Sequence, residues 1–383
     1  MLPNQSGFGS LAALIPDEFQ IVDRLGYGRT GELFRVRNHR NNEEVVLKLT
    51  ATQFAEHSPQ HEATFQKTCS HENIVRIIKT YDCGTTFIMA MEYMPDGSLA
   101  DLLARKFVPV AQSIAYCRQA LAGLGWVHRN GIIHRDVTAD NIMLAGETAK
   151  LSDFGAAQHQ ETGRIVSDLL YGPYIPPETV AGAGFSVATD IFGMGLTLLR
   201  AANNQYAFHT RLSQARKSMQ DGENIADVLG FQGYVPEKLK RIIRKAVASD
   251  PACRYSTAGA FRQDLSRLDP VRYWRPVNES TWTCEYAGKE EIIRLYPAQY
   301  ATVLHTVGGR TRAKTVHASR LEASNHMLSI VAKSTLQEVS GNQLKSARMK
   351  YCLDADAGDQ GCSHRFRRIA VAHNRITSRP KRP

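Results

Sequence analysis

The sequence predicts an α+β fold with a small β-rich lobe, a larger helical lobe and a small β-rich region at the C-terminal end. Apolar residues follow the short runs typical of strands between residues 19 and 91, helical periodicity takes over after Gly97, and the composition changes again after Pro270. The chain has 383 residues, 43% hydrophobic and 22% charged. Such a composition excludes a disordered, collagen-like or coiled-coil protein, and the length allows two or three domains of about 100 to 200 residues each.

The first lobe is predicted from its β-branched and apolar runs. Strands are expected around residues 19–25, at 33–36 and at 45–49, with a glycine-rich turn between the first two. A helix is expected over residues 54–69 and a buried strand over 87–91.

The helical lobe is predicted from apolar residues spaced three and four apart. One such face contains Ile114, Cys117, Leu121 and Leu124, and a later one contains Leu239, Ile242, Ile243, Ala246 and Val247. After Pro270 the sequence has aromatic-rich short strands, and Gly308-Gly309 is a predicted hairpin turn. The expected organisation is an extension (1–16), lobes at 17–92 and 97–268, a small β-rich domain (271–350) and a basic flexible tail (351–383).

The charge composition of the chain also changes near residue 270. Residues 1–270 carry 28 basic and 28 acidic side chains, whereas residues 271–383 carry 19 basic and 9 acidic ones, so 19 − 9 = +10 is the whole net charge. Basic residues interleaved with Trp274, Trp282, Tyr286, Tyr296 and Tyr300 are typical of a surface that binds nucleic acid or an acidic protein. The alternative, which we favour, is that the aromatics form a core and the tail is a solvated end.

Cysteine usage and hydropathy indicate a cytoplasmic protein. The seven cysteines are odd in number and contain no C-x-x-C pair, which argues for a reducing compartment. Residues 1–16 lack the features of a signal peptide, and no apolar run approaches the ~18 residues that a membrane span needs. We therefore expect no membrane span.

A glycine motif precedes an internal lysine. Gly26, Gly28 and Gly31 form G-x-G-x-x-G between two predicted strands, where glycine lets backbone N–H groups approach a phosphate. By itself the motif is more often an ordinary turn. Lys48 strengthens the phosphate interpretation, because a lysine inside an apolar strand requires an anionic partner.

The segments around residues 134–141 and 153–155 carry the decisive pattern. His134-Arg135-Asp136 is followed by Asn141 and then by Asp153-Phe154-Gly155, which reproduces H-R-D-x-x-x-x-N and D-F-G. Two carboxylates and one carboxamide at this spacing suit a divalent metal bound through oxygen and a hydroxyl to be oriented.

With these motifs the sequence resembles the eukaryotic-type protein kinase family over residues 17–268. Further matching segments, in the family's order, are His71–Val75, Met91–Leu99, Tyr174–Glu178, Asp190–Gly195 and Asp250-Pro251 with Arg254. The resemblance implies a bilobal kinase-like fold, ATP and Mg²⁺ as cofactors and protein substrates. It also implies transfer to Ser/Thr, because residues 134–141 lack the pattern of tyrosine-directed loops.

The resemblance also implies a role for each matching residue. Asp136 would be the catalytic base, Asn141 and Asp153 would hold Mg²⁺, and Lys48 would bind phosphates while paired with Glu62. The implied nucleotide-binding set is Gly26, Gly28, Gly31, Leu33, Val46, Lys48, Met91, Glu92, Met94 and Met143.

Some residues depart from the family pattern or suggest control. Thr138 stands where a lysine is usual, which removes a positive charge near the transferred phosphate. Arg135 suggests control by phosphorylation, for which we expect Ser167 as the acceptor, with Thr162 and Tyr171 as alternatives. Two other hypotheses remain: a nucleotide-binding pseudokinase scaffold that presents the basic C-terminal region, and a small-molecule kinase of the same superfold.

Overall fold

The N-terminal lobe is an antiparallel sheet with one helix. A computed structural model describes residues 14–28, 31–52, 59–162 and 174–338, all within one compact unit that ends at Glu338. The strands are β1 (Phe19–Gly28), β2 (Gly31–Asn38), β3 (Glu44–Ala51), β4 (Ile77–Asp82) and β5 (Thr86–Glu92), in the spatial order β1-β2-β3-β5-β4, and helix α1 (Pro59–Thr68) packs on β4 and β5. Residues 45–50 of β3 are all buried, because the strand is covered on both faces, and this explains its continuous apolar run.

The C-terminal lobe is mainly helical. Its short strands are β6 (Gly97–Ser98), β7 (Ile132–Ile133), β8 (Ile142–Ala145), β9 (Thr148–Leu151) and β10 (Gln158–His159). Its helices are α2 (Leu99–Arg105), α3 (Val110–Arg129), α4 (Pro177–Val180), α5 (Val187–Asn203), α6 (Phe208–Gln214), α7 (Arg216–Gln220), α8 (Ile225–Leu229), α9 (Glu237–Ala246) and α10 (Ala258–Ser266). Helix α5 is buried from Thr189 to Asn203, so it forms the centre of the lobe, and α3 packs against it.

A second five-stranded sheet, which we call the third sheet because it comes after the two lobes, follows the helical lobe. Strands β12 (Arg275–Asn278), β13 (Thr281–Tyr286), β14 (Lys289–Tyr296), β15 (Ala301–Val307) and β16 (Arg310–His317) form an antiparallel meander. Helix α11 (Arg320–Thr335) packs on this sheet, and the short strands β11 (Leu268–Pro270) and β17 (Leu336–Glu338) pair with each other. The predicted turn at Gly308-Gly309 is confirmed: both residues have positive φ and connect β15 to β16.

The third sheet shares its core with the helical lobe. The rings of Phe107 and Tyr234 lie 5.4 and 5.1 Å from the ring of Trp282 on β13, and all three belong to one apolar cluster. Trp274 is also buried and donates a hydrogen bond from its indole nitrogen to the Ser334 hydroxyl at 2.9 Å. Residues 271–338 therefore pack as an extension of the helical lobe.

The structure departs from the sequence expectations at two places. The expected helix over 54–69 is described as α1 from Pro59 to Thr68, and residues 54–58 lie outside the described chain. Helix α11 was not expected, and Tyr296 and Tyr300 are 43% and 62% exposed, so these tyrosines are not part of the core. The predicted flexible tail (351–383), its basic end and most of the 1–16 extension lie outside the described residues.

Candidate active site

The site is a cavity of about 1000 Å³ between the two lobes. The residues predicted for nucleotide binding on its apolar wall all line it: Leu33, Val46, Met91, Glu92, Met94 and Met143. So do the predicted polar residues Lys48, Glu62, Asp136, Asn141 and Asp153. Segments separated by more than a hundred residues are thus brought to one cavity.

A buried lysine with two carboxylates forms the inner end of the cavity. Lys48 Nζ lies 2.7 Å from Glu62 Oε1 on α1 and 3.4 Å from Asp153 Oδ1. Burial opposes the charge on Lys48, but the two carboxylates outweigh it and raise the pKa of the ammonium. Burial raises the pKa of Glu62, whereas the pKa of Asp153 is lowered, because Lys48 and the Gly155 N–H outweigh its burial. A fixed positive charge therefore lies beside the Asp153 carboxylate.

The second polar group lies on the loop between β7 and β8. Asn141 donates from Nδ2 to the Asp136 carbonyl at 2.8 Å and to Asp136 Oδ2 at 3.0 Å. This bond orients the Asp136 carboxylate and leaves the Asn141 amide oxygen as an acceptor. That oxygen and the Asp153 carboxylate are ligands of the kind that Mg²⁺ prefers, so the residues present fit this ion.

The loop is held from below by Asp190 of α5. Its carboxylate accepts hydrogen bonds from the backbone N–H groups of His134 and Arg135, both at 2.8 Å, and contacts His128 Nε2 at 2.8 Å. Arg135 and Asp153 both have positive φ, 71° and 61°, an uncommon conformation for residues other than glycine. The packing of α5 under the loop therefore fixes a strained backbone at the site.

The aromatic ring of Phe154 lies beneath the same loop. Phe154 is buried and packs edge to face on His134, with 4.9 Å between ring centroids. His134 Nε2 lies 3.1 Å from the Ser152 carbonyl, and the Ser152 N–H donates to the Asn141 carbonyl at 2.9 Å. These contacts connect the H-R-D and D-F-G segments directly.

The predicted glycines lie in the β1–β2 hairpin. Gly26 has a positive φ of 145°. A Cβ on Gly31 would lie 2.2 Å from the Leu49 carbonyl oxygen, so only glycine fits there. Gly28 ends β1, and the tip of the hairpin, residues 29–30, lies outside the described chain.

The hinge between the lobes is fixed by an ion pair that the sequence did not predict. Glu92 accepts hydrogen bonds from Lys150 Nζ at 2.8 and 2.9 Å and from the Arg76 N–H at 2.7 Å. Leu25 also lines the cavity and was missed, although its place immediately before Gly26 was the available signal. Thr138, the departure noted above, is buried in the same wall.

The regulatory predictions are only partly within the described chain. Ser167 and Tyr171 lie outside it, as does the side chain of Thr162. Arg135 donates from Nη1 to Gln158 at 2.9 Å and stacks on Phe185, while its Nε and Nη2 make no hydrogen bond to any described residue. Burial lowers the pKa of this guanidinium to about 10. Its unused N–H groups are suited to an anion.

Comparison with known proteins agrees with this geometry. The sequence profile described as the protein kinase domain matches residues 19–265. This chain belongs to the protein kinase family. This match and the structure together confirm the expected bilobal α+β kinase fold, and the structure also contains the expected β-rich C-terminal region.

The kinase is similar to several curated proteins. It is 28% identical over 268 residues to the serine/threonine-protein kinase MST20 of Pyricularia oryzae, covering 66% of this chain and 29% of the relative. It is 30% identical over 266 residues to the serine/threonine-protein kinase pakA of Talaromyces marneffei, covering 68% of this chain and 41% of the relative. The kinase thus spans well under half the length of these relatives. Within the part of the chain that the structure describes, no helix is long and apolar enough to cross a membrane.

Proposed function

We propose that this protein transfers the γ-phosphate of ATP to Ser/Thr hydroxyls of protein substrates. The observation that carries the proposal is the assembly of Lys48, Glu62 and Asp153 in the same cavity as Asp136 and Asn141. The names of the similar proteins MST20 and pakA support a Ser/Thr acceptor.

Each residue has a role that follows from its contacts. Bound ATP would supply the transferable phosphoryl group, and bound Mg²⁺ would neutralise negative charge on the phosphates. Lys48, held by Glu62, would bind phosphate oxygens, and Asp153 and Asn141 would hold the metal. Asp136, oriented by Asn141, accepts the proton of the attacking hydroxyl. The apolar wall formed by Leu33, Val46 and Met143 encloses the adenine and excludes water.

Two further parts of the proposal concern control and location. The unused N–H groups of Arg135 support control by a phosphate on residues 162–173, where Ser167 is the preferred acceptor. The five cysteines that the structure describes are all free, which supports a reducing, cytoplasmic location.

The proposal is tested with labelled ATP, Mg²⁺ and a generic protein substrate. Asp136→Asn and Lys48→Met should each lower label transfer by about 10²- to 10⁴-fold, the usual contribution of such groups. Phosphoamino acid analysis of the product should yield phosphoserine or phosphothreonine.

Matched controls separate catalysis from general damage. Asp227→Asn and Lys79→Met change an exposed acid and an exposed lysine that take part in surface ion pairs, so both variants should keep full activity. Equal label in all variants would defeat the catalytic assignment. Nucleotide binding without transfer in the unaltered protein would support the pseudokinase alternative.

A further inference from the structure

A group of polar side chains on the C-terminal wall of the cavity, together with the buried Arg200 that contacts it, takes no part in the proposed transfer. Arg200 of α5 donates from Nη1 to Asp140 Oδ2 at 3.0 Å, and His209 Nε2 lies 3.6 Å from the same oxygen. The Tyr174 ring lies 5.2 Å from the His209 ring. Asp140, Tyr174 and His209 line the cavity together with the proposed base Asp136.

This group contains more hydrogen-bond donors than acceptors. The Arg200 side chain is 8% exposed, and its Nε–H makes no hydrogen bond to any residue that the structure describes. The same is true of the Tyr174 hydroxyl, which lies near the guanidinium but outside hydrogen-bond geometry. Burial raises the pKa of Tyr174, so its hydroxyl remains a donor. Buried donors without partners are costly, and an anionic ligand would satisfy them.

Each acid that lines the cavity in the described chain already has a hydrogen-bond or ion-pair partner. Asp101 accepts from the Ser98 N–H at 2.8 Å in a helix cap, and Asp140 is paired with Arg200. The others are bound as described above: Glu62, Glu92, Asp136, Asp153 and Asp190. A basic substrate side chain therefore meets no unpaired carboxylate among the described residues of this wall, whereas an acidic one meets donors.

We propose that Arg200, His209 and Tyr174 form a subsite for an anionic side chain of the protein substrate, close to the residue that receives the phosphate. The inference rests on the proposed function, because it takes the cavity to be the place where substrate binds. It predicts that the enzyme prefers acidic sequences over basic ones. The anion is a carboxylate of Asp or Glu, or the phosphate of an already phosphorylated residue.

The test measures peptide binding rather than phosphate transfer. Fluorescently labelled peptides with alanine at the acceptor position carry Glu, phosphoserine, Ala or Arg at each flanking position in turn. They are titrated by anisotropy against the full chain with Mg²⁺ and a non-hydrolysable ATP analogue. At one position, Glu should bind about tenfold more tightly than Ala, as one charge-assisted hydrogen bond allows, and Arg should bind more weakly. The phosphoserine arm distinguishes the two sources of the anion.

Variants assign the effect to the subsite. Arg200→Gln, His209→Gln and Tyr174→Phe should each reduce the Glu preference and leave binding of the Ala peptide unchanged. His209 is half exposed, so His209→Gln serves if Arg200→Gln does not fold. The control is Arg244→Gln, which removes an exposed arginine from its ion pair with Asp227 and should keep the preference.

Absence of any preference for Glu or phosphoserine over Ala, or persistence of that preference in His209→Gln and Tyr174→Phe, would overturn the subsite. Because no transfer is measured, a protein that prefers Glu peptides but labels no substrate would retain the subsite and lose the proposed function.

Discussion

At the scale of single residues, the third sheet contains a buried histidine, His305, whose lowered pKa makes the stability of the fold depend on pH. Glu291 is buried on β14 between Arg272, at 3.0 Å, and His305, at 3.3 Å. Burial lowers the pKa of His305 below its usual 6.5, although Glu291 opposes this effect. The unfolded chain therefore binds a proton at this histidine more readily than the folded one does.

The free energy of unfolding should therefore fall as the pH is lowered. The stabilisation by neutral His305 is fully present above about pH 6.5 and is lost as the pH falls below that value. The free energy of unfolding from urea titrations should be lower at pH 5.5 than at pH 7.5. His305→Gln should lose less stability over this interval than the unaltered chain, whereas His39→Gln, which changes an exposed histidine, should lose as much. An identical pH dependence in His305→Gln would contradict the assignment.

At the scale of elements, helix α3 depends on one close approach. A Cβ on Gly123 would lie 2.4 Å from the Asn73 carbonyl oxygen, whereas a Cβ on Gly125, two residues further on, would have no neighbour within 3.8 Å. The contact joins α3 to the segment that follows α1. The two lobes therefore contact each other at Gly123, where no larger side chain fits.

Two alanine variants in the same helix test this contact. Gly123→Ala should lower the free energy of unfolding by about 1–3 kcal/mol through overpacking. Gly125→Ala should be neutral or stabilising by up to about 1 kcal/mol, because alanine favours helix. Urea unfolding of both variants gives the comparison, and equal effects would show that the approach to Asn73 is not limiting.

Some secondary-structure elements and contacts could be predicted from the sequence, and others could not. Strands β2, β3 and β5 and the helical faces at Ile114 and Leu239 were predictable, because period and burial agree there. The ion pair of Lys48 and Glu62 was implied by the resemblance to the kinase family. Helix α11 was missed although Ser319 caps it and Ala323, Met327 and Val331 form its buried face. The Arg200–Asp140 pair was not predictable, since it joins segments that only the fold brings together.

At the scale of the whole molecule, the sheet after residue 270 and the helical lobe share one core. Trp282 is 5% exposed and contacts Phe107 and Tyr234, which belong to the helical lobe. The charge step near residue 270 indicates where the composition changes. It gives no information on this packing, because neutral aromatic rings carry the contact.

Removing the indole ring of Trp282 should destabilise the third sheet and the helical lobe together. Trp282→Ala should cost about 3–5 kcal/mol, as is usual for a buried aromatic, whereas Tyr300→Ala, at a 62% exposed position, should change stability by less than about 0.5 kcal/mol. Unfolding of the full chain is followed by tryptophan fluorescence and by circular dichroism. One coincident transition is expected for the described residues; a Trp282→Ala effect confined to a separate transition would contradict the shared core.

The pairing of β11 with β17 closes a long loop of the chain. Pro270 and Leu336 are register partners, so everything between them is a loop whose two ends are closed by a three-residue ladder. The entropy lost on closing a loop grows only with the logarithm of its length, and a doubling costs about 0.6 kcal/mol. Extra residues at the exposed hairpin tips, such as Gly288 or Gly308, would add little to that loss. The segment between Pro270 and Leu336 can therefore accept insertions while β11 and β17 stay paired beside α10.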